Sequence, residues 1–374
     1  MIYLDNNATT QIAPAVLEAM MPFLVDGFGN PSSVHTTGQK ARRAVEAARE
    51  SVARLLGARQ AHEIVFTSGG TESDNWAILG ALEATEKRHI VTSRVEHEAV
   101  RKLCERLQTR GYEVTWLDVD EEGLFDLDGL RNVLTPETAI VSVMLANNET
   151  GVIFPVAEIA LIVKEHSDAL FHVDGVNAVG KMPVDLSSTE IDLFSLSAHK
   201  FHGPKGVGAL YIRDGVSLPS LAIGGGQESG RRAGTEAVHQ IVGLGAAAEF
   251  VKDMASMEYV RKLRDQLEDH ILQNIPNTRR NGHAEHRLPN TANISFENTN
   301  GEMILARLDD LGICVSTGSA CNAHDHRSSA VLEAMNVPYS YAMGSIRFSL
   351  GRFTASEEVE YLLNVLPPII ANCR

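Results

Sequence analysis

Apolar residues near the start of the chain fall at helical spacing. Ala41, Ala44, Val45, Ala48, Val52, Leu55 and Leu56 share one face, and Gly57 follows as a stop. The pattern then changes to short, nearly continuous apolar runs, each followed by a helical pattern. These runs lie at 64–67, 89–92, 113–117, 139–145, 170–173 and 193–196. Such runs predict strands buried on both faces, and with helices between them they imply a mostly parallel sheet in an α/β domain. After about Val251 the rhythm changes again. Helical stretches bracket a strand at 291–296, and a second strand at 345–349 precedes a closing helix from about Ser356, which reads as a smaller α+β unit. No repeat, low-complexity segment or long linker interrupts the series.

The length of 374 residues allows two domains with substantial cores. With 44% hydrophobic and 22% charged residues, the chain has the profile of a soluble globular enzyme. No apolar run reaches the length of a membrane helix, and the Met1-Ile2-Tyr3-Leu4 start has no basic, secretory-type region. Four cysteines, Cys104, Cys314, Cys321 and Cys373, then read as free thiols of a reducing cytoplasm. A net charge of −15 disfavours direct binding to nucleic acid. The one basic stretch, Lys40-Ala41-Arg42-Arg43, shares its helix with Glu46 and Glu50 and reads as a solvated face.

Four segments carry candidate chemistry. Thr67-Ser68-Gly69-Gly70-Thr71-Glu72 stands where a strand gives way to a helix. Backbone N–H groups and the helix dipole make such a turn an anion site, although Gly-rich turns are also common as plain structure. It matches neither the P-loop nor the dinucleotide-binding pattern, which argues against nucleotide use. Asp174 ends the apolar run Phe171-His172-Val173, where a carboxylate needs a cationic partner such as a protonated pyridine, or else caps the next turn. Lys200, in Ser197-Ala198-His199-Lys200-Phe201-His202-Gly203-Pro204-Lys205-Gly206, lies between a buried strand and a Gly/Pro loop. Partial desolvation there makes an amine nucleophilic toward carbonyls; Lys205 is the competing candidate, deeper in the loop.

The fourth segment, Ser316-Thr317-Gly318-Ser319-Ala320-Cys321, places a thiol on a small, polar loop with His324 and His326 nearby. An imidazolium would favour its thiolate. The same three residues form a C-x2-H-x-H run, but three close ligands without a second cluster argue against a structural zinc site, and no metal is expected. Cys314, after Leu311-Gly312-Ile313, is expected on a buried strand with a raised pKa.

Taken in order, these motifs resemble the NifS/IscS-type cysteine desulfurases, class V, fold-type I pyridoxal-phosphate enzymes. The resemblance runs from Leu4-Asp5-Asn6-Asn7-Ala8-Thr9-Thr10 to Gly351-Arg352-Phe353-Thr354. It includes Gly29-Asn30-Pro31-Ser32-Ser33-Val34-His35, Val95-Glu96-His97-Glu98-Ala99-Val100, Asn147-Asn148-Glu149-Thr150-Gly151 and Gly224-Gly225-Gly226-Gln227-Glu228 with Gly234-Thr235.

The resemblance implies a fold-type I large domain with a mostly parallel seven-stranded sheet, over 15–254. A smaller α+β domain would comprise 1–14 and 255–374 and carry the cysteine loop. Lys200 would hold the cofactor, Asp174 would pair with the ring nitrogen, and His97 would stack on the ring. Gly70, Thr71, Ser197 and His199 would bind the phosphate, joined by Thr235 from the second subunit of a homodimer. Asn148 and Arg347 would bind the substrate carboxylate. L-cysteine would yield alanine, with sulfur passing to Cys321 and then to a protein acceptor.

The chain departs from the family pattern in several places. Asn177 replaces the usual Gln that partners the ring oxygen, and Ser229 replaces an Arg. The segment after Cys321 lacks the usual Pro-Ser, and the C-terminal extension of housekeeping members is not expected beyond Arg374. Iron–sulfur assembly, tRNA thiolation and DNA phosphorothioation thus remain open as destinations of the sulfur. An aminotransferase or a selenocysteine lyase of the same fold is the alternative activity. An idle sulfur-carrier or assembly partner is the alternative from another class, against which the Asp174–Lys200 pair argues.

Overall fold

The computed structural model describes residues 1–317 and 328–374. Its strands are β1 (Ile2–Tyr3), β2 (Ile64–Thr67), β3 (His89–Ser93), β4 (Glu113–Leu117), β5 (Thr138–Met144), β6 (Leu170–Asp174), β7 (Leu193–Ser197) and β8 (Gly208–Ile212). Then follow β9 (Thr278–Arg280), β10 (Thr291–Phe296), β11 (Ile313–Cys314) and β12 (Ser345–Ser349). A seven-stranded sheet runs in the order β2-β8-β7-β6-β5-β3-β4. Only β8 runs against its neighbours, β2 and β7; the remaining pairings are parallel.

The helices are α1 (Pro14–Val25), α2 (Thr36–Leu56), α3 (Gly70–Glu83), α4 (Glu98–Gln108), α5 (Leu127–Val133) and α6 (Val156–His166). After them come α7 (Val238–Val251), α8 (Ala255–Asn274), α9 (Gly301–Asp309), α10 (Ala330–Ala334), α11 (Tyr339–Ala342) and α12 (Ser356–Asn372). The helix read from Ala41 to Leu56 is α2. It ends where expected, because Gly57 adopts the left-handed conformation (φ 60°) that releases the last turn.

Helices cover both faces of the sheet, and the strand sequences show why. Ile64, Phe66, Val91 and Val141 pack into the cluster shared with α1, α2, α6 and α7. Their neighbours Val65, Ile90 and Ile140 point into the opposite cluster, with Trp76 and Ile78 of α3 and Val100 of α4. Successive side chains alternate sides, and both sides are apolar, so the runs are continuous. A separate cluster joins Leu4, Leu263 and Leu267 of α8, Ile294, Phe348 and Leu362. It fills the space around the antiparallel sheet β12-β10-β9 and the parallel pair β1-β11. Val331, Leu332 and Met335, which flank and form α10, pack instead with the first cluster.

Candidate active site

In the large sheet, the carboxyl ends of β2, β3, β5, β6 and β7 point the same way, and ligands of open α/β sheets bind outside such ends. A cavity of about 380 Å³ opens there. Gly70, Thr71, His97, Asn148, Asp174, Asn177, Ser197, His199, Lys200 and Arg347 all line it.

One end of the cavity is prepared for an anion. Gly69 (φ 151°) lets the chain turn sharply from β2 into α3, whose first turn presents unpaired N–H groups at Gly70 and Thr71. Ser197 and His199 arrive beside it from the end of β7. Burial, with the charges of Lys200, Lys205 and Lys181, pushes the His199 imidazole down to about 4, so it is neutral at pH 7.

The floor is acidic. Asp174 ends β6, buried, with Oδ1 accepting the Val176 N–H at 2.9 Å. It forms no ion pair among the described residues, and burial raises its pKa. Asp74 of α3 and Glu96 lie beside it on the cavity wall. Glu96 accepts the Ser93 hydroxyl (2.5 Å) and the Met144 N–H (3.2 Å), and burial pushes it up to about 8. Burial likewise raises Asp74 well above the carboxylate range. The Oδ1 of Asp74 and the Oε2 of Glu96 are buried without a hydrogen-bond partner among the described residues.

The opposite side is basic. The Lys200 amine donates to the Asn7 carbonyl (2.5 Å) and the Ala8 carbonyl (3.2 Å). Lys205, its competitor, is exposed and does not line the cavity. His97 caps α4, its Nδ1 accepting the Ala99 N–H at 3.2 Å, and desolvation lowers its pKa. Arg347, on β12, donates to the Asn148 carbonyl (3.0 Å) and pairs with Asp5 (2.8 Å). Its Nε is buried and unpartnered among the described residues. An amine, a buried carboxylate lacking a cation, and an anion cradle form one donor set. It suits a ligand with a cationic ring nitrogen, a phosphate and a carbonyl that an amine can attack.

Comparison with known proteins gives these features a lineage. Residues 2–362 match the model of the aminotransferase class-V family. The chain belongs to the aminotransferase class-V family. It is 52% identical to cysteine desulfurase 2 of Trichormus variabilis over 375 residues, 100% of this chain and 94% of that one. A solved NifS-like protein superposes with a TM-score of 0.93 at 40% identity, covering 99% of each chain. SspA, solved in complex with cysteine, matches 95% of this chain and 100% of its own with a TM-score of 0.84 and 37% identity. The fold is thus fold-type I, as the sequence motifs implied, and the cofactor of this class-V chain is pyridoxal 5′-phosphate.

Some expected members of the site lie elsewhere. Thr235 is exposed in a separate cleft with Phe66, Glu228 and Arg232, away from Ser197 and His199. Cys321, His324 and His326 lie outside the described residues, and no group able to hold a metal occurs among the described ones. Cys314 does sit on a strand, but it is half-buried: β11 is a two-residue edge paired with β1, too short to be covered on both faces. Partial burial still raises its pKa. Sequence reasoning passed over Asp74, Glu96, Asn7 and Lys181. Glu96 and Asn7 lay inside quoted motifs, and Asp74 belongs to the extension of the Thr67–Glu72 motif to Asn75; Lys181 carried no pattern that marks a buried charge.

Proposed function

We propose that this chain is a cysteine desulfurase that converts L-cysteine to L-alanine and passes the sulfur to Cys321. The observation that carries the reading is the meeting, in one cavity, of Lys200 with the buried, unpaired Asp174. The 52% identity to a cysteine desulfurase over the whole chain supports it. Bound in this cavity, pyridoxal phosphate supplies an electron sink for negative charge at the substrate α-carbon.

The residues divide the remaining work. Lys200 would hold the cofactor and would carry the substrate α-proton, and His97 would lie against the ring. Asp174 would keep the ring nitrogen protonated, and Gly70, Thr71, Ser197 and His199 would hold the phosphate. Asn148 and Arg347 bind the substrate carboxylate; Arg suits this because its planar fork matches a carboxylate. That reading asks Asp5 to yield one arm of the fork, or the unpartnered Nε to serve. The Cys321 thiolate attacks the substrate sulfur: an S–S bond forms, the C–S bond breaks with its electron pair left on carbon, and that carbon takes a proton to give alanine. The persulfide then goes to a protein acceptor.

We further infer a homodimer, because Thr235 needs another subunit's cavity to meet a phosphate. Apart from α10 and its neighbours, which pack against the large sheet's cluster, the hydrophobic clusters support a division near residues 14 and 254 into a large and a small domain. No helix of the described residues is long and apolar enough to cross a membrane. The free thiols of Cys104, Cys314 and Cys373 suit the reducing cytoplasm.

The test is to feed the purified enzyme L-cysteine without any keto acid, and to measure alanine and map persulfide by mass spectrometry. Stoichiometric alanine with a persulfide on Cys321 is expected, and Cys321→Ser should bind cofactor yet release no alanine. Alanine formed only when a keto acid is added, or a persulfide on Cys314 with Cys321→Ser still active, would refute the reading.

A further inference from the structure

Lys181 is a buried lysine outside every role assigned above. It follows β6 by one turn, four residues beyond Asn177, and forms no ion pair with a carboxylate among the described residues. Its amine donates instead to two amide oxygens, Asn177 Oδ1 at 2.7 Å and Asn7 Oδ1 at 2.8 Å. Its titratable neighbours are bases: Lys200, Arg347, His199 and His202. Burial and the charges of Lys200 and Arg347 hold it well below the ordinary lysine range. Two N–H bonds to two acceptors satisfy even the neutral amine.

These contacts decide which way two amides face. An amide oxygen that accepts from Lys181 leaves the NH2 group on the other side. For Asn7, that NH2 donates to the Asn148 carbonyl (3.1 Å) and Thr291 Oγ1 (2.9 Å), while Asn290 supports the same oxygen (3.0 Å). For Asn177, one N–H reaches the Asn147 carbonyl at 3.1 Å. The other is uncommitted among the described residues, and Asn177 lines the cavity. Turned the other way, the Asn177 oxygen would meet the Asn147 carbonyl, two acceptors face to face.

We propose that Lys181 is a positioning residue: by holding the oxygens of Asn177 and Asn7 it fixes Asn177 as a hydrogen-bond donor to the ring oxygen of bound pyridoxal phosphate. The proposal rests on the cofactor reading above and adds what makes a shortened amide serviceable. A donation from lysine polarises the amide, strengthening the N–H it offers to an anionic oxygen. The Asn7 arm ties the same lysine to the segment whose carbonyl receives the Lys200 amine.

The test titrates the full-length apoprotein, by calorimetry, with pyridoxal phosphate and with the matching aldehyde phosphate that lacks the ring hydroxyl. For Lys181→Met we expect about tenfold weaker binding of pyridoxal phosphate, with the hydroxyl-free analogue changed less than about twofold. Asn177→Ala should show the same selectivity, and the double variant should be no worse than either single one. Equal losses for both ligands, or additive losses, would overturn the proposal and leave Lys181 a purely structural residue. If Lys181→Met does not fold, Lys181→Gln serves: a loss confined to the hydroxyl-bearing ligand supports the role, and a ligand-independent loss overturns it. A wild-type chain that gains no visible band with pyridoxal phosphate would instead sink the cofactor reading.

Discussion

The two sides of the cavity carry opposite charges, and different parts of the chain build them. The floor, with Asp74, Glu96 and Asp174, comes from the large sheet and the helix α3 laid against it. The facing side, with Lys200 and Arg347, is tied to the N-terminal segment and to β12 of the smaller sheet. Burial raises all three floor carboxylates, and it pushes Glu96 up to about 8, so that Glu96 keeps its proton at pH 7. The basic side stays buried by spending its N–H groups on backbone and amide oxygens. A ligand carrying a cation at one end and anions at the other gains from both sides.

Removing Lys200 should break this comparison most completely. Lys200→Ala is expected to lose the visible absorbance of the lysine-bound cofactor and at least ~10³-fold in alanine release. Lys205→Ala should retain both, and the reverse outcome would move the assignment to the exposed lysine. Arg347→Lys comes next. It keeps the charge and loses the fork, so KM for L-cysteine should rise about tenfold or more while kcat changes less. A fall in kcat at unchanged KM would show that Arg347 orients other groups rather than the substrate.

The floor is tested through pH. A carboxyl pushed up to about 8 in the fold keeps a proton that the unfolded chain, near its ordinary 4.5, has released. Stability must then fall as pH rises between those values and level off above the higher one. One proton sets a limit of about 1.4 kcal/mol per pH unit. Glu96→Gln cannot ionise, so the apoprotein variant should show a shallower fall in Tm between pH 6 and 8 than wild type. Identical slopes would mean that Glu96 is ionised in the fold. Loading with pyridoxal phosphate should flatten the wild-type slope, because a ring cation beside Asp174 favours negative charge on its neighbours. The smallest effect is expected at Cys314→Ser, on the β1–β11 edge: unchanged alanine release and a stability loss under about 1 kcal/mol.

The anion end, Asp174 and Lys200 were legible in the residues, and Arg347 through the resemblance, whereas Asp74 and Glu96, the rest of the floor, were not. Strand runs such as Ile64–Thr67 and Thr138–Met144 announce themselves because a sheet covered on both faces buries every position of its inner strands. Residues that follow such runs directly, among them Asp174 and Lys200, are placed by the strand ends. β8 went unnamed because Gly208–Ile212 runs directly on from the glycine-bearing loop at 203–206, and β9 because Thr-Arg-Arg has no apolar signature. Lys181 and Asp74 are invisible for a physical reason. Their burial depends on groups distant in the chain: the Asn7 amide oxygen for Lys181, and for Asp74 the sheet face that α3 covers, where His172 lies 3.6 Å away. The resemblance assigned Thr235 to the phosphate of a second subunit, and within one chain it stands in another cleft.

The N-terminal segment has a consequence for how the protein is made. β1 pairs with β11, Asp5 bridges to Ser349 and pairs with Arg347, and Asn7 braces both Lys181 and Lys200. On a ribosome adding roughly 5–20 residues per second, residues 2–7 emerge at the start, yet their partners at 313–349 follow only after on the order of half a minute. The sheet and its carboxylate floor can form meanwhile, but the basic side cannot close until synthesis is almost done. Until that moment a nascent chain has no competent cavity, and any peptide appended ahead of Ile2 must find its way out past β11 without prising that strand pair apart.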